Sequence, residues 1–244
     1  MNLIIDLGNT YAKLAVYDDN GDMVEYFYHH GLSLDDLKNF ISNHLQIKAS
    51  ILSSVIDNDA TIINFLKHEM KCLFLDEHTP LPLKNKYKSP DTLGKDRLAD
   101  AVGAYTLFPD KNCLVIDAGT CIKYDIITAA GEYLGGAISP GLMMRFKALN
   151  TFTDKLPLIQ AENNFNQLIG STTQESILLG VQEGVALETK GFIEKYKEIY
   201  PNLVIILTGG DTNFLDKAVK NDIFVEPFLI LKGLNAILNF NKNL

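Results

Sequence analysis

Leu3-Ile4-Ile5-Asp6-Leu7-Gly8-Asn9-Thr10 and Leu114-Val115-Ile116-Asp117-Ala118-Gly119-Thr120 are two versions of one phrase. Each opens with a short apolar run, the pattern of a strand buried on both faces. Each ends in Asp-x-Gly and then a side chain bearing an amide or a hydroxyl. The two aspartates stand 111 positions apart, and the segments after them are also alike. A second strand-like run comes next, Tyr11 to Tyr17 and then Cys121 to Thr128. A turn at Asn20-Gly21 or Ala130-Gly131 leads to a third, Met23 to Tyr28 and Tyr133 to Ile138. Asn-Gly is a strong hairpin signal, because both residues tolerate positive φ.

Helical periodicity then takes over. Leu34, Leu37, Phe40, Ile41 and Leu45 share one face in the first half. In the second half a helix starts near Pro140 and carries Leu142, Met143, Phe146 and Leu149. Further strand runs are expected at 50–55 and 203–207, and helices at 59–70, 174–199 and 227–240. Three antiparallel strands followed by βα units, twice over, predict an α/β fold of two mixed sheets flanked by helices. The repeat divides the chain near Pro109-Asp110-Lys111, into an N-terminal half over 1–110 and a C-terminal half over 111–244.

Bulk properties narrow the function. The chain has 244 residues, 47% of them hydrophobic, which supplies a sizeable core without disulfides or a structural metal. A formal net charge of -8 runs against nucleic-acid binding, which needs clustered Lys and Arg, and against a polybasic membrane surface. Cys72, Cys113 and Cys121 lack CxxC spacing and read as buried thiols. The five histidines show no metal-ligand spacing. No apolar stretch reaches 18 residues, and the first residues start a strand rather than a basic leader; a cytoplasmic location is expected.

The Asp-x-Gly turns are the first candidates for chemistry. A loop that approaches phosphates needs Gly, so that backbone can pass close to the ligand. It needs N–H and hydroxyl donors, here Asn9, Thr10 and Thr120. It also needs a carboxylate for the cation that neutralises a triphosphate, a role Asp6 and Asp117 are placed to take. One such turn alone reads as an ordinary strand end; two matched copies favour a nucleotide clamp.

Leu203 to Leu207 runs into Thr208-Gly209-Gly210-Asp211, which suits a nucleoside passing close to backbone or a plain strand–helix turn. Gly94-Lys95-Asp96-Arg97 opens a helix through Tyr105. Asp96 reads as a helix-dipole acid or as the base toward a substrate hydroxyl, with Arg97 as a planar fork for a carboxylate or phosphate. Gly135-Gly136-Ala137-Ile138-Ser139-Pro140-Gly141 makes a stiff turn into a helix, and Gly170 to Ser176 includes a capping-box pattern.

Taken in order, these motifs resemble type III pantothenate kinases, and the resemblance runs from residue 3 to about 240. Gly-x-Asp-Arg is its most specific element. The resemblance implies duplicated ribonuclease H-like halves of the actin/hexokinase type, and ATP-dependent phosphorylation of pantothenate as the first step of coenzyme A synthesis. It implies that Asp6, Leu7, Gly8, Asn9, Thr10, Tyr11, Ala12 and Lys13 meet ATP, joined by Thr120. Asp96 would be the general base, with Tyr87, Gly94, Lys95, Arg97 and Thr173 around pantothenate. Mg²⁺ would accompany ATP, a monovalent cation (K⁺ or NH₄⁺) would sit near Asp117, and the protein would be a homodimer.

The chain departs from the family pattern in three places. Lys95 stands where a small residue is usual, and Cys121-Ile122-Lys123 follows Thr120 where Ala and Thr are common. Thr172-Thr173 offers two candidates for one threonine, of which Thr173, three residues after Gly170, is chosen. Fold-level signals also admit a sugar kinase or a nucleotide-dependent regulator; against the latter stand the acidic balance and the lack of a helix-turn-helix.

Overall fold

The computed structural model describes all residues except 9, 56–59, 163, 164, 166, 220, 221, 243 and 244. It divides into two compact units: Met1–Pro109 with Gly131–Tyr133 and Phe228–Leu244, and Asp110–Ala130 with Leu134–Pro227.

The first unit is built on a five-stranded sheet. Its strands are β1 (Asn2–Leu7), β2 (Ala12–Tyr17), β3 (Met23–His29), β4 (Ala49–Ser54) and β5 (Cys72–Phe74), in the order β3-β2-β1-β4-β5. β1 is antiparallel to β2 and parallel to β4. Leu3, Ile4 and Ile5 are fully buried, as a central strand with both faces covered requires. At the β2–β3 turn the Asp18 carboxylate accepts from the N–H groups of Asn20 and Asp22, both at 2.9 Å, while Gly21 takes φ +90. A short strand, β6 (Lys84–Asn85), runs parallel to Glu132 and Tyr133 within this unit.

Helices α1 (Leu34–Ser42), α2 (Ala60–Glu69), α3 (Lys95–Leu107) and α7 (Leu229–Lys242) complete the unit, the 3₁₀ turn Pro90–Thr92 preceding α3. Ser33 caps α1 in a reciprocal box with Asp36. That helix ends one residue before Asn43, so Leu45, expected on its apolar face, lies outside it and is 91% exposed. α3 and α7 pack at backbone distance through glycines: a Cβ on Gly233 would overlap the Ala99 carbonyl, and one on Gly103 the Leu229 carbonyl.

The second unit repeats the plan. Its strands are β7 (Cys113–Ala118), β8 (Cys121–Ile127), β9 (Glu132–Pro140, its first two residues in the first unit), β10 (Val204–Thr208) and β11 (Ile223–Val225). Their order, β9-β8-β7-β10-β11, matches β3-β2-β1-β4-β5 position for position. β7 is antiparallel to β8 and parallel to β10, as β1 is to β2 and β4. The duplication expected from the two Asp-x-Gly phrases is therefore a duplication of topology. Helices α4 (Leu142–Thr151), α5 (Thr173–Ile199) and α6 (Thr212–Val219) surround a core that includes Tyr124, Phe146, Leu178 and Val185. The Tyr124 ring stacks on Phe192 at 4.3 Å between centroids, and its hydroxyl lies 3.0 Å from Thr189 Oγ1.

Candidate active site

In the first unit the β1–β2 hairpin carries Asp6 at the end of its buried strand. Asp6 is 3% exposed and sits directly opposite Lys13, whose Nζ lies 3.5 Å from Asp6 Oδ2. The Gly8 N–H donates to the Tyr11 carbonyl at 3.1 Å and closes the turn. Asn9 lies outside the described residues. Thr10 and Tyr11 are exposed, with the Tyr11 ring edge-on to Tyr28 and His30. Leu7 and Ala12 point into the core, so only their backbone is available to a ligand. Tyr28 lies opposite Lys13 on β3; burial raises its phenol above the ordinary value, with Lys13 pulling the other way.

The N-terminus of α3 gathers the next group. Gly94 is its N-cap, and the Asp96 carboxylate folds back over it so closely that any Cβ there would collide with Oδ1. Asp96 Oδ1 accepts from the Arg97 N–H at 2.9 Å, which pins the carboxylate at the helix start, where the backbone dipole favours negative charge. Arg97 is buried, and its guanidinium carbon stands 5.4 Å from the centre of the Tyr87 ring. Tyr87 in turn packs near Tyr133, with centroids 6.2 Å apart. Lys95 is partly exposed beside them. The structure thus brings Tyr87, Gly94, Lys95, Asp96 and Arg97 into one cluster.

In the second unit three sequence motifs converge. Asp117 ends β7 opposite Lys123 of β8, and the two side chains form an ion pair. The Gly119 N–H donates to the Cys121 carbonyl at 3.0 Å, leaving the Thr120 side chain exposed. The Gly141 N–H donates to the Thr120 carbonyl at 3.1 Å, tying the Gly135–Gly141 turn to this hairpin. The Thr208–Asp211 turn closes from the other side, with the Asp211 N–H donating to the Ala118 carbonyl at 2.9 Å. Gly209 takes φ +95, and a Cβ there would come within 2.6 Å of Asp117 Oδ1, so only glycine fits. Burial raises the Asp211 carboxyl above its ordinary value.

Thr172 and Thr173 separate by role. Thr172 is the N-cap of α5, its hydroxyl accepting from the Glu175 N–H at 3.2 Å in a reciprocal box. Thr173 is the first helical residue and is exposed. Both line a groove of about 840 Å³ with Gly170, Ser171, Arg145 and Ile177. Arg145 is held by the Glu188 carboxylate at 2.7 Å and by Ser139 Oγ at 2.6 Å. Burial opposes ionisation of Glu188, but its hydrogen bonds with Ser139 and Arg145 outweigh this and hold it below its usual range.

Among the described residues there is no group of three or more His, Cys, Asp or Glu that could hold a metal, and no helix long and apolar enough to cross a membrane. The Asp–Lys cross-strand pairs were beyond motif reading. They depend on hairpin register, and the recoverable signal was a lysine seven residues after Asp6 and six after Asp117.

Two like halves, each with an Asp-x-Gly hairpin at the same point of the same sheet order, define an actin/hexokinase-type fold. Solved structures agree: a Campylobacter jejuni protein described as a Baf family transcriptional activator superposes with a TM-score of 0.64. It is 23% identical and covers 99% of this chain and 100% of its own. A glucokinase from an Antarctic psychrotroph gives a TM-score of 0.51 at 13% identity, covering 98% of each chain. These likenesses show the fold alone. The sequence goes further: the family model of type III pantothenate kinases matches residues 2–195. A type III pantothenate kinase of Bacteroides fragilis is 47% identical over 243 residues, 99% of each chain. The chain belongs to the type III pantothenate kinase family.

Proposed function

We propose that this chain transfers the γ-phosphoryl group of ATP to the hydroxyl of pantothenate, giving 4'-phosphopantothenate, the first step of coenzyme A synthesis. The observation that carries the reading is the Gly94–Arg97 cluster at the start of α3, in a chain 47% identical to a type III pantothenate kinase. Asp96, fixed at the helix start, accepts the substrate hydroxyl proton as the oxygen bonds to γ-phosphorus and the bond to ADP breaks. Arg97 presents a planar fork that suits the pantothenate carboxylate, braced by the Tyr87 ring beneath it. Gly94 and Lys95 stand beside them at the start of α3, and in the second unit Thr173 has an exposed side chain.

In the first unit Asp6, Lys13, the Thr10 hydroxyl and the backbone of Leu7, Gly8, Tyr11 and Ala12 are suited to the ATP phosphates, and in the second unit the Thr120 hydroxyl is suited to them as well. Mg²⁺, when bound with ATP, neutralises triphosphate charge, and the buried Asp6 carboxylate is suited to holding it directly or through water. The reading includes a cytoplasmic homodimer whose pantothenate pocket is completed by the second copy. The monovalent cation expected near Asp117 does not fit the residues present. Asp117 Oδ2 is taken by the Lys123 ammonium, and Oδ1 faces the Gly209 backbone.

The test is ADP release with pantothenate and Mg²⁺-ATP, for wild type and Asp96→Asn. Pantothenate-dependent turnover that falls roughly 10²–10⁴-fold in the variant, with ATP binding retained, is expected. Near-wild-type turnover of Asp96→Asn would remove Asp96 from its role.

A further inference from the structure

Resting on the phosphoryl-transfer reading, we propose that the Lys123 ammonium takes the place of a monovalent cation at the second phosphate hairpin, so that turnover needs no added K⁺ or NH₄⁺. Lys123 is set by backbone register: β7 and β8 are antiparallel and place it directly across from Asp117, where the side chains pair. The ammonium is thereby seated on one carboxylate oxygen, and the glycine wall crowds the other. Oδ2 meets the ammonium, while Oδ1 lies against Gly209, whose positive φ and lack of a Cβ are what allow the approach. Thr208, opposite Asp117 on β10, and the Asp211 N–H bond to Ala118 hold that wall in place.

A hard monocation needs several oxygen ligands that replace its water, and the Lys123 ammonium already holds the position beside Asp117 Oδ2. An alkylammonium supplies the same single positive charge with three N–H donors on a covalent tether. A second monocation beside the pair would meet like charge. The first hairpin also places a lysine across from its aspartate, Lys13 opposite Asp6, but more loosely, with Nζ 3.5 Å from Oδ2 and a turn one residue longer. Each half of the duplicated fold thus carries its own lysine near the start of the strand that follows the phosphate turn. Both pairs are only partly shielded, with Lys123 14% exposed and Lys13 26% at the side chain, so each ammonium is close to solvent and to an incoming anion.

The experiment uses the purified full chain dialysed free of K⁺ and NH₄⁺. ADP release with pantothenate and Mg²⁺-ATP is measured in tetramethylammonium, Na⁺, K⁺ and NH₄⁺ chlorides at matched ionic strength, alongside ATP affinity by calorimetry in each salt. Wild-type turnover and ATP affinity agreeing within about two-fold across all four salts are expected. Lys123→Met, of similar length, should lose roughly 10²-fold in turnover, with partial recovery in K⁺ or NH₄⁺ but not in tetramethylammonium. K⁺ or NH₄⁺ raising wild-type turnover, or tightening wild-type ATP binding, by about ten-fold or more overturns the proposal without touching the substrate assignment. Absence of pantothenate-dependent turnover in every salt instead defeats the phosphoryl-transfer reading. In that case the salt dependence of wild-type ATP affinity still decides the role of Lys123.

Discussion

Replacing Arg97 separates its fork geometry from its charge. The side chain is 4% exposed, stacks its guanidinium 5.4 Å from the Tyr87 ring centre, and follows the proposed base by one residue. Hydrogen bonds to a charged group contribute about 1.5–3 kcal/mol, and stacking on an aromatic face about 0.5–2 kcal/mol. Arg97→Lys keeps the charge but loses the planar fork and most of the stacking, a loss of about 1.5 kcal/mol, or roughly ten-fold in affinity. Arg97→Leu loses the charge as well and should cost roughly 100-fold. Steady-state kinetics should place these losses in KM for pantothenate, with KM for ATP moving less than about three-fold. Tyr87→Leu, which removes only the ring beneath Arg97, should fall between wild type and Arg97→Lys. Circular dichroism confirms that the variants fold. If both Arg97 variants, folded, kept the wild-type KM for pantothenate, Arg97 would not be the carboxylate fork and the pocket would have to be sought elsewhere.

Gly103→Val forces a Cβ toward the Leu229 carbonyl and should cost about 3 kcal/mol in urea denaturation, whereas Gly191→Ala in α5, with open space around it, should gain up to about 1 kcal/mol. Asp19 is held at about 2, below its ordinary 3.8, first by a hydrogen bond from the N-terminal ammonium and then by one from Lys48. A carboxyl lowered in the folded state adds stability above its unfolded value that is lost as pH falls through the folded one. Denaturation between about pH 4 and about pH 2 should therefore show a shallower loss for Asp19→Asn than for wild type. Burial pushes the Cys113 thiol up to about 11, so iodoacetamide at pH 8 should leave it unmodified in the native protein and label it after unfolding, as read by mass spectrometry.

Much of this molecule was legible in its sequence because strand burial and turn chemistry leave local marks. Leu3–Ile5 and Leu114–Ile116 are apolar without alternation because both sheet faces are covered. Asn20-Gly21 and the Thr172–Glu175 box likewise dictate their own backbone. What was hidden depends on distant partners. β5 and β11 are three residues each and exist because β4 and β10 offer an edge. Leu45 continues the apolar spacing of α1 but falls beyond the Asn43 cap, and periodicity cannot see a cap. The last helix belongs to the first unit, where Asn2 donates to Asn235 at 2.6 Å and to Asn239 at 2.8 Å, and nothing in residues 227–240 announces that. In the candidate site, Asp6, Asp96 and Asp117 stood out by their motifs. Lys123 as the partner of Asp117 required the β7–β8 register.

The most direct measurement is identification of the product by mass spectrometry after the chain is incubated with pantothenate and Mg²⁺-ATP. Phosphopantothenate formed in equal amount to ADP, and lost in Asp96→Asn, is the predicted result. ADP released without phosphopantothenate, or phosphopantothenate formed as readily by Asp96→Asn, would contradict it.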